Sequence, residues 1–380
     1  MQTLDRLMTY LEHSPSPFHA AASAAALLEE GGFVRLEEGD AWALKPGGQY
    51  YVTRNQSSLI AFRLPGDPLT GWRMTAAHSD SPTFRIKNDG MGGDKRYARL
   101  EVEGYGGMSC ASWLDRPLTV AGRVVVRTPE GVESRLVYLD RDLLSTDIVL
   151  CPRQKPVRLG AAGELFQAPR IDDLACAYAT LEGLLRAGPN PAAGQVYCLF
   201  DNEEVGSGTR QGAMSSFLPD VLARAALALG LGEEERRRAL ANSLLLSADN
   251  GHAVHPNFPE KADPENRVYP NGGVVVKLNA SQKYTTTGLT AGLFRAVCQR
   301  AGVPVQVFAN RADEPGGSTL GNLLSHAVSI PMVDIGMAQL AMHAAVETAG
   351  SQDPEHLSRA CTAFFEAAFT QCADGRYVLG

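Results

Sequence analysis

Two glutamates stand side by side in the segment LFDNEEVGSGTR, Leu199 to Arg210, where the apolar run Val196 to Phe200 stops at Asp201-Asn202-Glu203-Glu204. The β-branched and aromatic content of that run predicts a buried strand with the acids just past its C-terminal end. Adjacent glutamates at such an edge suit a divided task, in which one ligates a metal and its neighbour stays free as a general base. An isolated pair is more often a solvated acidic turn, so the question is how many other strand ends finish in the same way. Three do: Met74 to Ala77 before His78 and Asp80, Leu244 to Ala248 before Asp249, and Val333 to Gly336 before the turn leading to His343. A helix opening at Asp172-Asp173 adds carboxylates at its N-terminus. Singly, these read as a helix-capping pair, a turn aspartate and an interior histidine. Their shared position is what argues otherwise, because ligand sites in open α/β sheets form beyond the carboxyl ends of the strands. Two histidines with several carboxylates and no cysteine suit zinc, manganese or cobalt in a hydrolytic site.

The elements that must position these groups follow from punctuation and periodicity. Leu4, Leu7, Met8 and Leu11 recur at helical spacing, and an alanine-rich second helix runs from Phe18 to Glu30, ending at Gly31-Gly32. Short strands are expected near residues 50–53, 58–63 and 72–77. From about Asn88 to Gly163 short alternating runs are separated by glycine and by the Thr128-Pro129-Glu130-Gly131 turn, which is an antiparallel β pattern. Beyond it, strands and helices alternate up to a final helix from about Pro354. Such alternation indicates an α/β fold with a mixed, mostly parallel sheet flanked by helices. The β-rich middle, residues 88–163, then reads as a small domain inserted into a larger one formed by residues 1–87 and 164–380. A length of 380 residues is itself more than one core usually holds.

Composition excludes several classes. A net charge of -7 and the lack of a dense Lys/Arg tract argue against nucleic acid or an anionic membrane as a partner. The run Glu233 to Arg238 reads as the wet face and first turn of a helix. Seven cysteines, without a C-x-x-C pair, fit thiols in a reducing cytoplasm better than a disulfide framework. Met1 to Leu28 has the pattern of an amphipathic helix rather than of a secretion signal, and no apolar run is long enough to span a bilayer. The expectation is a cytoplasmic protein.

Seven segments, AHSDSPTFRIK, SWLDRPLTVAGRV, PRIDDL, DNEEVGSGT, SADNGHAVHPNF, GGSTLGN and QLAMH, lie in unbroken order between Ala77 and His343. Together they resemble the aspartyl aminopeptidase family, zinc metallopeptidases that include vacuolar aminopeptidase I. The likeness extends back to SPSPFHAA at Ser14 and so covers nearly the whole chain. It implies a zinc-exopeptidase-like fold, removal of N-terminal residues from short peptides, and two divalent ions per subunit, zinc first, with manganese or cobalt as alternatives. Carried over by position, His78 and Asp249 would hold one ion, Glu204 and His343 the other, and Asp172 would bridge both. Glu203 would be the general base, and Asp80 would orient His78 through its far ring nitrogen. His255, His252 and Lys283 match positions near the substrate, and a cis peptide is expected at Asp172-Asp173. The resemblance further implies a tetrahedral homododecamer that encloses its active sites, with the inserted β domain as the contact surface.

Three positions depart from the family. Serine stands at Ser281, where members that prefer acidic residues carry a lysine nearby, so neutral or broad N-terminal residues are expected, with acidic ones as the alternative. No histidine lies between His78 and His252, although members usually carry one in the inserted domain that reaches a neighbouring active site. Gly316 and Asn322 replace the usual cysteine and proline. Two rival readings are a two-metal N-acyl amino acid deacylase, whose substrates lack a free α-amine, and a non-catalytic shell-forming assembly protein that uses metals as staples. The second gives no reason for an unligated Glu203 beside a ligand.

Overall fold

The computed structural model describes residues 3–66, 68–94, 96–129, 131–137 and 143–379. At its centre, among the described residues, is a nine-stranded mixed sheet. Its middle is four neighbouring parallel strands in the spatial order Ala193–Phe200, Gly71–His78, Leu244–Ala248, Met332–Gly336. Every residue of these four is buried, which is why they read in the sequence as continuous apolar runs rather than alternating ones. On one side the sheet continues through Ser58–Arg63, Gln49–Arg54 and Val34–Leu36, and on the other through Val274–Leu278 and Val305–Ala309. Five of the eight pairings are parallel, so the mixed, mostly parallel sheet is as expected.

Helices cover both faces. Side chains from Thr3–His13, Pro17–Glu30, Ile171–Arg186, Gly288–Arg300 and Asp353–Glu366 pack with Tyr197, Leu199, Leu246 and Val333 of the sheet. Those from Phe217–Ala228, Glu233–Ala241 and Leu320–Leu324 pack with Trp72, Met74, Val196 and Leu245 on the opposite face. Alternate residues of one strand thus serve two cores, as the pleat requires.

Between the strands Gly71–His78 and Ala193–Phe200 the chain builds the β-rich insert. This is a five-stranded antiparallel sheet in the order Ala98–Tyr105, Thr83–Gly93, Leu143–Pro152, Leu118–Thr128, Gly131–Val137. Its first strand starts at Thr83, directly after His78-Ser79-Asp80. A third sheet joins Val157–Leu159 and Leu165–Ala168 to Glu347–Gly350, Ala338–Leu340 and Gly251–His252, so it gathers segments from far apart in the chain.

The chain does not finish on the helix near Pro354. A hairpin follows it, Phe369–Ala373 against Arg376–Leu379, with the Phe369 and Tyr377 rings edge to face at 6.2 Å. The hairpin is tied to the central sheet by Arg73. This buried guanidinium donates to the carbonyls of Trp72, Asn242, Ala367 and Phe369 and lies 3.4 Å over the Phe369 ring. All seven cysteines are free thiols, and among the described residues no helix is long and apolar enough to cross a membrane.

Candidate metal centre

The parallel strands bring their C-terminal ends to one edge, and the predicted groups meet there. His78 closes its strand and Asp249 directly follows Leu244–Ala248. Glu203 and Glu204 form a single turn, Glu203–Val205, past Ala193–Phe200, while Asp172 and Asp173 lie in the first turn of Ile171–Arg186. His343 follows the short strand Ala338–Leu340, at φ 66. Two clusters of metal-capable residues result, His78-Asp172-Asp173-Asp249 and Asp172-Glu204-His343, each with its ligand atoms within 4.8 Å of one another. Asp172 belongs to both. Its Oδ1 is 3.8 Å from His78 Nε2 and its Oδ2 3.3 Å from His343 Nε2, and Glu204 Oε2 is 3.5 Å from the same His343 nitrogen. The Asp172-Asp173 peptide is cis.

Both histidines are held in the tautomer a cation needs. His343 Nδ1 donates to the Gly107 carbonyl at 3.1 Å, and His78 Nδ1 to the Asp80 carbonyl at 3.0 Å, with an Asp80 carboxylate oxygen at 3.3 Å. Each ring is left with Nε2 facing the carboxylates. Asp80 does further work: its carboxylate accepts from Tyr105 Oη at 2.7 Å, Glu203 N at 3.0 Å and Glu204 N at 3.1 Å. One buried aspartate therefore sets His78 and both glutamates. Tyr105 and Gly107 come from the insert, and the Cβ of a residue other than glycine at Gly106 would stand 3.0 Å from Glu204 Cβ.

The electrostatics describe a site short of positive charge. Burial, reinforced by Asp249, Asp80 and Asp172 against His78, pushes the Glu203 carboxyl up to about 8. Burial and Asp172 hold Glu204 well above the usual carboxylate range. Burial lowers His78, but Asp173, Asp80 and Glu203 outweigh it and keep the ring well above its ordinary value. Asp172 goes the other way: burial raises it, and the two histidines more than offset that. Oxygens of Asp172, Asp173 and Glu204 are buried without a hydrogen-bond partner. Orphaned carboxylate oxygens beside two oriented imidazoles fit divalent cations, which would satisfy the oxygens and counter the crowding of negative charge.

Other residues stand near this edge that the sequence reading did not single out. Lys277, fully buried, puts its Nζ 3.3 Å from Asp249 Oδ1 and 5.4 Å over the Tyr284 ring. A lysine inside the apolar run VVVKL was a readable signal, since a buried strand does not spend a charge without a partner. Glu347 accepts from the main-chain N–H of Asp172 and of His343. Of the expected substrate contacts, His252 pairs beside Gln339 in the third sheet. His255 accepts from Asn257 N at 3.2 Å and stacks on Phe258, and Lys283 Nζ donates to the Gly316 carbonyl at 2.7 Å.

Fold and site together define a metal-dependent hydrolase on an exopeptidase-like α/β body. The chain belongs to the M18 family: the family description "Aminopeptidase I zinc metalloprotease (M18)" matches residues 10–144 and 132–365. It is thus a metal-dependent aminopeptidase. A Clostridium acetobutylicum protein, "Probable M18 family aminopeptidase 2", is 35% identical over 423 residues, covering 95% of this chain and 98% of its own. That alignment is longer than the 380-residue chain, so the relative carries residues absent here. The two stretches of the family match meet at 132–144, inside the insert. Among solved structures, the Ape4 and Nbr1 complex aligns with a TM-score of 0.91 at 29% identity, covering 96% of this chain and 85% of that one. The S. cerevisiae mApe1 dodecamer aligns at 0.85 and 25% identity, with 95% and 96% coverage.

Proposed function

We propose that the protein removes N-terminal residues, neutral ones or a broad range, from short peptides, using two divalent ions, zinc first. The observation that carries this reading is the pairing of Glu204, inside a cluster that shares Asp172 with its neighbour, and Glu203, beside it but outside both clusters. His78 and Asp249 would hold one ion, Glu204 and His343 the other, and Asp172 both. When bound, the ions supply Lewis acidity toward the scissile carbonyl and acidify water. Glu203 takes the proton of the attacking water and delivers it to the leaving amine. Its place beside the two clusters and outside both sets it to hold a proton between those two acts. The Asp80 bonds to Glu203 N and Glu204 N keep base and ligand in fixed relation. Acidic groups at the edge would receive the substrate's α-ammonium. His255, His252 and Lys283 would line the peptide's path. Ser281, exposed and with its main-chain N–H bonded to Asn279 Oδ1, carries a neutral hydroxyl and so gives an acidic side chain no cation.

Residues 88–163 would form the inserted domain, and self-association through it, up to the dodecamer reported for the S. cerevisiae relative, would confine substrates to short peptides. Free thiols throughout suit a cytoplasmic location. The test is hydrolysis of aminoacyl chromogenic substrates (Asp, Glu, Leu, Lys, Met, Ala) and their N-acetylated forms with zinc, manganese or cobalt, beside Glu203→Ala. The expected result is metal-dependent turnover of the free-amine set, falling by about 10²–10⁴-fold in the variant. Turnover of the acetylated set alone would overturn the reading in favour of a deacylase.

A further inference from the structure

Glu347 opens the strand Glu347–Gly350 and is 2% exposed, so its carboxylate must be satisfied from within the protein. Oε2 accepts the main-chain N–H of Asp172 at 2.9 Å. Oε1 accepts the main-chain N–H of His343 at 2.8 Å and, at 3.4 Å, the side-chain amide of Gln339. Gln339 is fully buried and accepts from Asn250 Nδ2 at 2.8 Å. Asn250 in turn donates to the Ile171 carbonyl and accepts from Met337 N, each at 3.1 Å. The string Asn250-Gln339-Glu347 therefore links the residue after Asp249, the main chain at Ile171-Asp172, and the turn carrying His343.

The two clusters depend on this string unequally. In Asp172-Glu204-His343, two of three members have their main chain bonded to Glu347, and the third is held by Asp80. The turn before His343 is an unfavourable one for non-glycine residues, with Ala341 at φ 58 and His343 at φ 66, so its shape needs an outside anchor. The other cluster has anchors of its own: His78 N donates to Asp173 Oδ2 at 3.2 Å, Lys277 faces Asp249, and Ser81 Oγ donates to the Asp172 carbonyl at 2.8 Å.

We infer that Glu347 is a positioning residue that fixes the Asp172-Glu204-His343 cluster and thereby the affinity of one ion, while the His78 cluster keeps its ion without it. A carboxylate is required because three N–H donors, Asp172 N, His343 N and Gln339 Nε2, converge on its two oxygens. In Glu347→Gln the amide brings a donor against one of them, and in Glu347→Asp the shorter arm keeps the charge but cannot span them all. The inference rests on the two-ion reading of the site and is independent of the substrate. The test is titration of the metal-free full-length protein with zinc against a chromophoric chelator, with bound metal counted by elemental analysis. The parent should take two ions. Both variants should take one with unchanged affinity and the second about 10–100-fold more weakly, with activity restored by excess zinc and KM little altered. A parent that binds fewer than two ions would sink the two-ion reading before any variant is compared. Two ions bound to the variants as to the parent, or both lost together, overturns the inference. So does recovery in Glu347→Asp alone, which would assign the role to charge. If Glu347→Gln does not fold by circular dichroism, Glu347→Asp decides by the same count, and loss of fold in both would make Glu347 a core residue only.

Discussion

Asp80 accepts three hydrogen bonds from two separate segments, and that is where the chemistry of individual residues is decided. Tyr105 belongs to the insert, while Glu203 and Glu204 belong to the turn after a neighbouring strand. Asp80→Asn keeps the shape but turns a donor toward these donors. At least one buried N–H or O–H loses its acceptor, a cost of about 1–3 kcal/mol. The expected outcome is a lower unfolding midpoint together with zinc affinity reduced by about 10–100-fold, read by calorimetry. Unchanged affinity would confine Asp80 to the fold. In the sequence, Asp80 was legible only as a partner for His78. Its hold on the glutamates depends on the register that sets Ala77 beside Leu199 and His78 beside Phe200, and register is a tertiary fact. Glu347 was hidden for a related reason: a single buried acid carries no periodicity, and its partner Asp172 lies 175 residues away in the chain.

Between elements, the tolerances are set by backbone contact. Gly336, at the end of Met332–Gly336, lies against the next strand's exit, where an added Cβ would stand 2.0 Å from the Asp249 carbonyl oxygen. Gly336→Ala must therefore push Asp249 or its own strand aside. It is expected to lower stability by about 1–3 kcal/mol in denaturant melts and to weaken zinc binding in parallel. A variant destabilised but with full zinc affinity would show that the strand, and not Asp249, gives way. Long apolar runs closed by acids or histidines made the four central strands readable, with ends shifted by up to three residues. The third sheet was not readable, since strands of two to four residues such as Gly251–His252 are defined by their partners. The terminal hairpin was missed because its polar strands, largely exposed beyond Phe369, lack a core pattern.

At the scale of the molecule, the insert presents a bare edge. Ala98–Tyr105 is almost wholly exposed along its length, and Tyr97 and Leu114 are 71% and 73% exposed. Such an edge is open to pairing with another chain, and the exposed apolar groups beside it suit an interface. The proposed self-association would use them, and light scattering is expected to give the mass of twelve chains. A monomer at working concentration would remove the enclosed chamber from the proposal, and with it the reason for short substrates.

The contact between Arg73 and the hairpin segment ties the making of the site to a remote part of the chain. Arg73 sits in the strand that ends at His78, and two of its four carbonyl partners belong to Ala367 and Phe369. Without that segment in place, a cation in the middle of the sheet lacks half its acceptors, a burial that proteins avoid. The strand that carries His78 therefore leans on a segment 294 to 296 residues away in the chain, and damage to that remote segment reaches the site through Arg73.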